Sequence, residues 1–348
     1  MTPDRLTVGL IGFGLGGRVF HAPVIRAVPG LRLTTIAQRK GRPADAPDWD
    51  VEFVHTIDEL LARKLDLVVI TTPNTTHHPV AKHCLLAGRH VVVDKPFTTT
   101  VADAEELVAL ARAQGRLLSV YHNRRYLGDF VTLQQLLAQG ALGRIVSFES
   151  HFDRFRPAVK PEAWREQPGP GAGVWFDIGP HLLDQALVLF GTPHAIGADL
   201  RAERDGAAVD DAFDVTLYYE GLRAVLRGSC LAAAPGPTFV VHGTAGSFIK
   251  HGLDPQEAAL RAGRTPDEPD WDVEPAELYG TLTTPDGSRR VPTVPSSFTR
   301  YYENVRDALL GKEQLAVSPA HALDVMRGVV RAAASSAQRR VLPWAAAD

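Results

Sequence analysis

Cysteine is scarce in this 348-residue chain, and long hydrophobic runs are absent. The two cysteines, Cys84 and Cys230, cannot build a disulfide framework, and no cysteine–histidine spacing is typical of a zinc site. The apolar runs are broken by glycine or proline, which excludes a membrane-spanning helix. Residues 1–5 lead directly into a strand-like stretch and lack the apolar region of a signal peptide. We therefore expect a cytoplasmic protein with reduced thiols and no metal.

Net charge is also small. The 37 lysines and arginines nearly balance the 40 aspartates and glutamates, and the formal net charge is −3. Without a block of basic residues, the chain offers no electrostatic footprint for nucleic acid or an anionic membrane. Hydrophobic residues make up 45% and charged residues 22%, which excludes a disordered or fibrous chain. The length fits about two globular domains.

The N-terminal part alternates strand-like runs with helical patterns. The runs are rich in valine, isoleucine and leucine and cover Leu6–Ile11, Leu31–Ala37, Leu65–Thr71, His90–Val93 and Leu117–Tyr121. Such runs are typical of strands buried on both faces of a parallel sheet. Between them, Thr56 begins a capping box and Thr100 is a good N-cap. The order predicts an α/β fold that starts with a doubly wound Rossmann domain over residues 1–122.

The pattern changes after residue 122. Helices are predicted over Phe130–Gln139, His181–Phe190, Ser297–Leu310 and Pro319–Arg339. Strands are predicted over Ile145–Phe155, Ala212–Tyr219, Arg223–Leu231, Phe239–His242 and Gly246–Lys250, and Leu253–Pro275 is predicted to be a loop. Consecutive strands of this kind indicate an α+β domain on a large, open, mainly antiparallel sheet over residues 123–348. Few helices are available to cover that sheet, so we expect a homodimer or homotetramer.

A glycine-rich turn follows the first strand. Gly12, Phe13, Gly14, Gly16 and Gly17 lie within a G-x-G-x-x-G motif that opens a helix. In a dinucleotide site, the first glycine allows the tight turn, the second lets the pyrophosphate approach and the third lets helix and strand pack. The anion then lies at the helix N-terminus. The motif predicts a nicotinamide dinucleotide site, and the alternative is a glycine-rich turn without a ligand.

The residues after the second strand bear on cofactor choice. An NAD site usually has an aspartate or glutamate here, which accepts a hydrogen bond from the ribose 2′-hydroxyl. This sequence has Gln38, Arg39 and Lys40 instead. A guanidinium can fork onto a 2′-phosphate that a carboxylate would repel. The pattern predicts NADP as cofactor, with NAD possible, unless Arg39 and Lys40 are ordinary solvated loop charges.

Two further segments follow strand ends at the ligand-binding edge. Thr72, Pro73 and Asn74 come after the third strand, and Asp94 and Lys95 after the fourth. In open α/β sheets, ligands bind at the carboxyl ends of the strands. A lysine at a buried strand end is costly to desolvate unless it serves a negative or developing charge. We therefore expect these residues at the cofactor, with a surface lysine as the alternative for Lys95.

The second half contains a histidine one helical turn after an aspartate. Asp177 and His181 are four residues apart, so they share a face if the segment is helical. A histidine beside a carboxylate is a natural acid–base unit, because the acid fixes the ring's tautomer and orientation. The alternative for His181 is a structural histidine near a helix start.

Together, these motifs resemble the Gfo/Idh/MocA family of nicotinamide-dependent sugar and polyol oxidoreductases, over nearly the whole chain. The resemblance is carried by Gly12–Gly17, Thr72–Asn74 with His77, Asp94–Pro96, Asn123–Arg125 and Gly173–Asp184. The family's usual E-K-P is D-K-P here, which shortens the carboxylate and keeps the lysine. The stretch Gly17–Pro23 resembles a subgroup containing NADP-dependent scyllo-inositol dehydrogenases.

The resemblance implies a reaction and its residues. The polyol hydroxyl would lie between Lys95 and His181, and His181 would take its proton as hydride leaves for the nicotinamide. Lys95 would stabilise the alkoxide and Asp177 would support His181. His77 joins the cofactor residues. Candidates for holding substrate hydroxyls are Tyr121, Asn123, Arg125, Asp153, Arg156 and Trp164.

Three other functions remain open within the same fold. They are NAD-dependent glycoside hydrolysis by transient oxidation, reduction of another carbonyl compound, and nucleotide sensing without turnover. A sensor is expected to lose the lysine or the histidine, and both Lys95 and His181 are present. We therefore favour an enzyme acting on a polyol or sugar, most specifically an inositol.

Overall fold

The computed structural model describes residues 5–345. The chain divides into two compact units, each assembled from separate segments. The first unit contains residues 5–123 together with Pro255–Asp272 and Ser297–Leu323. The second contains Arg124–Asp254, Val273–Ser296 and residues 324–345. Segments that are distant in sequence therefore complete each unit.

Strands alternate with helices in the first part of the chain and dominate the second. In chain order the strands are β1 Leu6–Ile11, β2 Leu31–Ala37, β3 Glu52–Val54, β4 Leu67–Ile70, β5 His90–Val93, β6 Leu118–Val120, β7 Ile145–His151, β8 Ala195–Arg201, β9 Ala212–Tyr219, β10 Leu222–Ser229, β11 Phe239–Gly243, β12 Ser247–Lys250, β13 Gly280–Thr284, β14 Gly287–Val291 and β15 Leu342–Pro343. The helices are α1 Ala22–Ala27, α2 Ile57–Leu61, α3 His77–Leu86, α4 Val101–Ala113, α5 Gly128–Ala138, α6 Gly173–Phe190, α7 Gln256–Arg261, α8 Thr299–Leu309 and α9 Pro319–Gln338. A π-helical turn, Gly16–His21, runs directly into α1.

The first unit contains a six-stranded parallel sheet in the order β3-β2-β1-β4-β5-β6. This is the Rossmann order, and it confirms the predicted doubly wound fold. Every residue of β4 is buried, as expected for a strand covered on both faces. The hydroxyls of Thr56 and Thr100 accept hydrogen bonds from the first turns of α2 and α4, as the capping patterns predict.

The second unit contains a nine-stranded sheet in the order β14-β13-β12-β11-β7-β10-β9-β8-β15. Only the β7–β10 pair is parallel among the pairings of the described residues, so the sheet is mainly antiparallel as predicted. Side chains alternate along the strands, and in β9 Phe213, Val215 and Leu217 are buried while Tyr218 is exposed. One face of the sheet therefore packs against the unit's interior.

Three predicted elements differ from the structure. Helix α6 begins at Gly173 rather than at His181, and it includes Pro180. Strand β7 ends at His151, after which Phe155 makes only an isolated bridge to Leu231. The segment predicted as a loop contains α7. None of the helices within residues 5–345 is long and apolar enough to cross a membrane.

Candidate active site

The turn after β1 leaves room for a ligand. Gly12 has a φ of 94°, and its N–H donates to the carbonyl oxygen of Ala37 at 3.0 Å. A Cβ atom on Gly17 would collide with the backbone oxygen of Gly12, so only glycine fits there. The position of a Cβ on Gly14 has no neighbouring atom within 4 Å. Open space over tightly packed glycines fits the pyrophosphate of a dinucleotide.

Gln38 lies where a ribose-binding acid would stand. Its Oε1 accepts a hydrogen bond from the N–H of Phe13 at 3.2 Å, which ties the end of β2 to the glycine turn. Arg39 and Lys40 follow it and are exposed. Neither cation forms an ion pair with any residue of the described range 5–345. Their charges are therefore available to an anionic ligand beside this turn.

Asp94 and Lys95 form the turn after β5. Oδ1 of Asp94 accepts a hydrogen bond from the backbone N–H of Lys95 at 2.8 Å, and Nε2 of His21 lies 3.6 Å from the same oxygen. Nδ1 of His21 is hydrogen-bonded to the hydroxyl of Tyr302 at 2.6 Å. The side chain of His21 is fully buried, whereas that of Asp94 is 22% exposed. The carboxylate thus links a buried histidine to the backbone of Lys95.

His77 connects the segments that follow β4 and β5. Its Nδ1 lies 2.8 Å from the carbonyl oxygen of Pro96, and its Nε2 lies 2.9 Å from the carbonyl oxygen of Thr72. Burial lowers the pKa of His77 below its ordinary value, so the ring is neutral at neutral pH and donates through one nitrogen. Asn74, between these segments, is also buried. The hydrogen bonds of His77 therefore connect the two predicted cofactor-binding segments at this edge of the sheet.

Tyr121 lies in an aromatic cluster of the first unit. Its hydroxyl donates to the carbonyl oxygen of Phe20 at 3.1 Å, and its ring centroid lies 4.1 Å from that of His21. The rings of Tyr301 and Tyr302 pack against it at 4.8 and 5.5 Å. Burial raises the pKa of Tyr121 well above its ordinary value, so the phenol stays protonated at neutral pH. These contacts pack the Tyr121 side chain into the interior of the first unit. The role of Tyr121 in holding substrate stays a prediction.

In the second unit, Asp177 and His181 both lie on α6, one turn apart. His181 is 7% exposed, and the side chain of Asp177 is 25% exposed. The carboxylate oxygens of Asp177 lie 3.8 Å from a guanidinium nitrogen of Arg154 and 3.6 Å from one of Arg165. The predicted acid–base pair therefore lies on one helix, α6, and two arginines lie beside the carboxylate of Asp177.

The start of α6 depends on an aspartate that is distant in sequence. The backbone N–H of Trp175 donates to Oδ2 of Asp210 at 2.6 Å, and Asp210 lies against the backbone of Gly173, whose φ is 90°. Any Cβ at position 173 would collide with that carboxylate. Burial raises the pKa of Asp210 to about 6. This residue fixes the helix that carries Asp177 and His181.

The other predicted substrate residues of the second unit have different surroundings. Arg125 forms a bidentate pair with Asp184, with nitrogen–oxygen distances of 2.8 and 2.6 Å, and the side chain of Asp184 is 1% exposed. Asp153 lies 3.9 Å from Nδ1 of His151. Arg156 and Trp164 line the same cavity as Asp177. Asn123, assigned to the first unit, begins a 3₁₀ turn.

Comparison with known families accounts for both halves of the chain. Residues 6–122 match the model of an oxidoreductase family described as an NAD-binding Rossmann fold, and residues 134–344 match its C-terminal alpha/beta domain. The chain belongs to the Gfo/Idh/MocA oxidoreductase family. It is therefore an NAD(P)-dependent oxidoreductase.

Relatives of this Gfo/Idh/MocA protein share its full length. The uncharacterized oxidoreductase YdgJ of Escherichia coli is 46% identical over 97% of this chain and 99% of its own. The scyllo-inositol 2-dehydrogenase (NADP(+)) IolW of Bacillus subtilis is 37% identical over 97% of this chain and 96% of its own. A solved oxidoreductase of Bacillus cereus superposes with a TM-score of 0.89, at 34% identity and 99% coverage of both chains.

Four residues near the candidate site are not among the site residues that the sequence predicts. They are His21, Arg154, Arg165 and Asp210. Each acts through a contact with a residue distant in sequence, such as that of His21 with Asp94 or of Asp210 with Trp175. The D-R-F-R run around Arg154 is a recognisable charge pattern, whereas no local signal marks Asp210 as a helix cap.

Proposed function

We propose that this oxidoreductase transfers a hydride between a hydroxyl-bearing carbon of a polyol or sugar and NADP, with an inositol as the first candidate substrate. The observation that carries the proposal is the Asp94–Lys95 turn at the carboxyl end of β5. There the carboxylate of Asp94 accepts a hydrogen bond from the backbone N–H of Lys95. The full-length similarity to an NADP-dependent scyllo-inositol 2-dehydrogenase supports the choice of an inositol.

Each residue has a defined task in this proposal. NADP, when bound, accepts the hydride from the carbinol carbon. Lys95 carries positive charge toward the oxygen that becomes an alkoxide, and a fixed charge of this kind stabilises the transition state. His181 takes the hydroxyl proton, and Asp177 supports His181 from one helical turn away. In the reverse direction, His181 returns the proton to the ketone oxygen.

The preference for NADP rests on the end of β2. Gln38 supplies an amide where a carboxylate would repel a 2′-phosphate, and the exposed Arg39 and Lys40 supply positive charge. The glycine turn, the segment Thr72–Asn74 and His77 would hold the rest of the dinucleotide.

A substrate panel tests the reaction. Purified enzyme is mixed with inositols and aldoses, each with NADP and with NAD, and the absorbance of the reduced cofactor is followed. Formation of NADPH in proportion to the polyol consumed is expected. Hydrolysis of a glycoside without release of cofactor would favour the hydrolytic alternative, and the absence of turnover with every polyol and sugar would refute the proposal.

Lys95 gives a direct test of the charge at the reacting oxygen. Lys95→Ala is expected to fold, to bind NADP and to lose most of its turnover. Lys95→Arg is expected to restore little, because a planar fork does not replace a point charge. A Lys95→Ala enzyme within a few-fold of the parent would remove Lys95 from the mechanism.

We also propose that the protein is a homodimer or homotetramer. The outer face of the nine-stranded sheet carries Thr216 and Tyr218 on β9 and Ile249 on β12, and both Tyr218 and Ile249 are exposed. A partly apolar sheet face of this kind favours a partner surface. Light scattering at micromolar concentration is expected to give a multiple of the chain mass, and the mass of one chain would contradict it.

A further inference from the structure

The β2–β3 loop, residues 38–51, begins with a tight turn. The N–H of Gly41 donates to the carbonyl oxygen of Gln38 at 2.7 Å, and Gly41 has a φ of 72°. Arg39 and Lys40 are the two central residues of this turn, and both are exposed. The turn therefore presents two neighbouring cations at the carboxyl end of β2, the edge at which an open α/β sheet binds its ligand.

The middle of the loop is held by a residue from outside it. Asp45 lies in a second turn, which is closed by a hydrogen bond from the N–H of Ala46 to the carbonyl oxygen of Pro43 at 3.0 Å. Nη1 of Arg18 donates to Oδ2 of Asp45, and Nη2 donates to the carbonyl oxygen of Asp45, both at 2.7 Å. Among the hydrogen bonds of residues 5–345, these two join residues 42–48 to the rest of the first unit.

Arg18 is itself part of the structure around the glycine motif. It directly follows Gly17, and its backbone N–H donates to the carbonyl oxygen of Gly14 at 2.8 Å. The hydrogen bond and the charge of Arg18 hold the pKa of Asp45 below its ordinary value, so both partners are charged at neutral pH. Arg18 therefore connects the backbone of the glycine motif to the middle of the β2–β3 loop.

Near its end, the loop packs against the same motif. The ring of Trp49 meets that of Phe13 edge-on, with the ring centres 6.2 Å apart. The guanidinium of Arg26 on α1 lies 4.7 Å from the centre of the Trp49 ring. At the start of the loop, Gln38 accepts a hydrogen bond from the N–H of Phe13. The start, the middle and the end of the loop thus each contact the glycine motif or the helical turns that follow it.

The ion pair of Arg18 and Asp45 has a local effect. Its side chains are 34% and 74% exposed, and ion pairs at such positions contribute little to the stability of a domain. A loop that is already ordered, however, loses less conformational entropy when a ligand binds to it. Loss of this ion pair should therefore change the order of the loop more than the stability of the first unit.

We propose that Arg18 is a positioning residue for NADP, which holds the β2–β3 loop through Asp45 so that Arg39 and Lys40 face the 2′-phosphate. The inference rests on the proposed function and names a residue that determines its preference for NADP. NAD lacks the 2′-phosphate and gains nothing from the two cations. Arg18 should therefore affect the binding of NADP and not that of NAD.

Binding of both cofactors tests the proposal without turnover. Dissociation constants for NADP and NAD are measured by fluorescence titration for the parent and for Arg18→Gln. The variant should raise the dissociation constant for NADP roughly three- to fivefold, the size expected for an exposed ion pair of good geometry, and leave that for NAD unchanged. An equal change for both cofactors, or no change for either, would overturn the inference.

Arg63→Gln is the matched control. Arg63 forms a bidentate pair with Glu52 in the same unit, at 2.8 and 2.6 Å, and both side chains are partly exposed. The control removes the same charge and a similar pair without touching the middle of the loop. Both dissociation constants should equal those of the parent.

A double variant separates positioning from direct contact with the phosphate. If Arg18 acts through Asp45, Arg18→Gln should have little further effect on NADP binding once Asp45 is replaced by alanine. The same loss in the Asp45→Ala background as in the parent would mean that Arg18 binds the phosphate itself, and it would overturn the inference. The double variant has the net charge of the parent, so parent-like NADP binding would mean that Arg18 acts by charge alone, which would also overturn it.

Proteolysis reports on the loop in the absence of cofactor. Trypsin cleavage after Arg39 or Lys40 is followed by mass spectrometry, and it should be faster in Arg18→Gln than in the parent or in Arg63→Gln. Equal rates in all three proteins would show that the loop does not depend on Arg18, and would overturn the inference.

The same measurements separate this inference from the proposed function. Equal affinity of the parent for NADP and NAD would refute the proposed preference for NADP, and the proteolysis would still decide whether Arg18 orders the loop. A parent that prefers NADP, together with an unchanged preference in Arg18→Gln, would overturn only the role of Arg18.

Discussion

Nε2 of His21 lies 3.6 Å from Oδ1 of Asp94, the atom that also accepts a hydrogen bond from the backbone N–H of Lys95. Burial alone would raise the pKa of Asp94, but the neighbouring His21 and the charge of Lys95 hold it below its ordinary value. Asp94 therefore stays ionised at neutral pH. The shorter carboxylate of this D-K-P turn has a buried histidine as its partner.

The first prediction concerns this contact. His21→Phe removes the group that favours the ionised carboxylate, so the pKa of Asp94 is expected to rise. NMR titration of the Asp94 carboxyl carbon in both proteins measures this rise, because the acid limb of the kcat/KM profile is assigned to His181. Tyr302→Phe is the milder variant, because it removes only the hydroxyl beside Nδ1. An unchanged pKa of Asp94 in a folded His21→Phe enzyme would show that Asp94 does not depend on His21.

The second prediction concerns cofactor choice. Arg39→Ala is expected to lose about 1–3 kcal/mol of NADP binding, the value of a hydrogen bond between charged groups, and little NAD binding. Gln38→Asp should shift the preference toward NAD, because the new carboxylate would repel the 2′-phosphate and accept from a ribose hydroxyl. Dissociation constants for both cofactors are measured by fluorescence titration.

Arg32→Ala is the control for Arg39→Ala. Arg32 lies on β2, just before the segment that contains Arg39, and it is exposed and pairs with an exposed aspartate, Asp50. Its loss should leave both cofactor affinities unchanged. Equal NADP and NAD affinity in the parent enzyme, or an equal loss of both in Arg39→Ala, would contradict the proposed preference.

Local sequence predicts the elements that are determined locally. Strands β1, β2 and β5 have the predicted ends, because runs buried on both faces of a parallel sheet are apolar throughout and stop at glycine or a polar turn. Helix α4 begins after the predicted cap, Thr100, because its hydroxyl satisfies an N–H of the first turn.

Elements that depend on distant residues escape such reasoning. Strand β14, Gly287–Val291, has four exposed residues, so it shows no apolar pattern. It is a strand because it forms hydrogen bonds with β13. The first turns of α6 contain Gly173 and Gly179, which disfavour a helix locally. They are helical because Asp210, 35 residues after Trp175, caps the start. The same holds for the candidate site. Lys95 is predicted from its position at the end of a strand, whereas no local pattern predicts the contact of His21 with Asp94.

The third prediction concerns a buried acid of the second unit. Asp129 is 1% exposed and accepts a hydrogen bond from the N–H of Phe130. Burial and the charges of Asp254 and Glu274 raise its pKa from 3.8 to about 7, against the opposing charge of Lys250. The unfolded chain therefore releases this proton at a lower pH than the folded protein. The contribution of Asp129 to the free energy of unfolding is therefore lost as the pH rises from about 4 to about 7.

Asp129→Asn removes that loss, because the amide cannot ionise and its oxygen still accepts from Phe130. The free energy of unfolding of Asp129→Asn relative to the parent should increase between pH 5 and pH 8 by about 1 kcal/mol or more. Urea unfolding of both proteins at the two pH values measures the difference. Asp286→Asn, in the exposed turn between β13 and β14, controls for the change in net charge. A difference that is the same at both pH values would show that Asp129 is ionised in the folded protein.

The last prediction concerns His181, the group proposed to take the hydroxyl proton. Oxidation of an alcohol releases a proton with the hydride, and histidine is the side chain whose ordinary pKa lies nearest neutrality. The base must be unprotonated, so kcat/KM for oxidation should rise with pH through one ionisation. His181→Ala should lose roughly 10²–10⁴-fold in rate and flatten that limb of the profile. Asp177→Asn, one turn earlier on α6, should lose less and keep the limb.

Structural controls accompany these two variants, because His181 is buried and α6 packs through Trp175, whose indole N–H donates to the carbonyl oxygen of Val329. Unchanged thermal unfolding and unchanged NADP binding would show that the second unit and the nucleotide site are intact. A loss of rate in such a protein would then reflect the loss of proton transfer and not a loss of structure. If His181→Ala instead keeps both the rate and the pH limb, the histidine is structural, and another group such as Lys95 must take the proton.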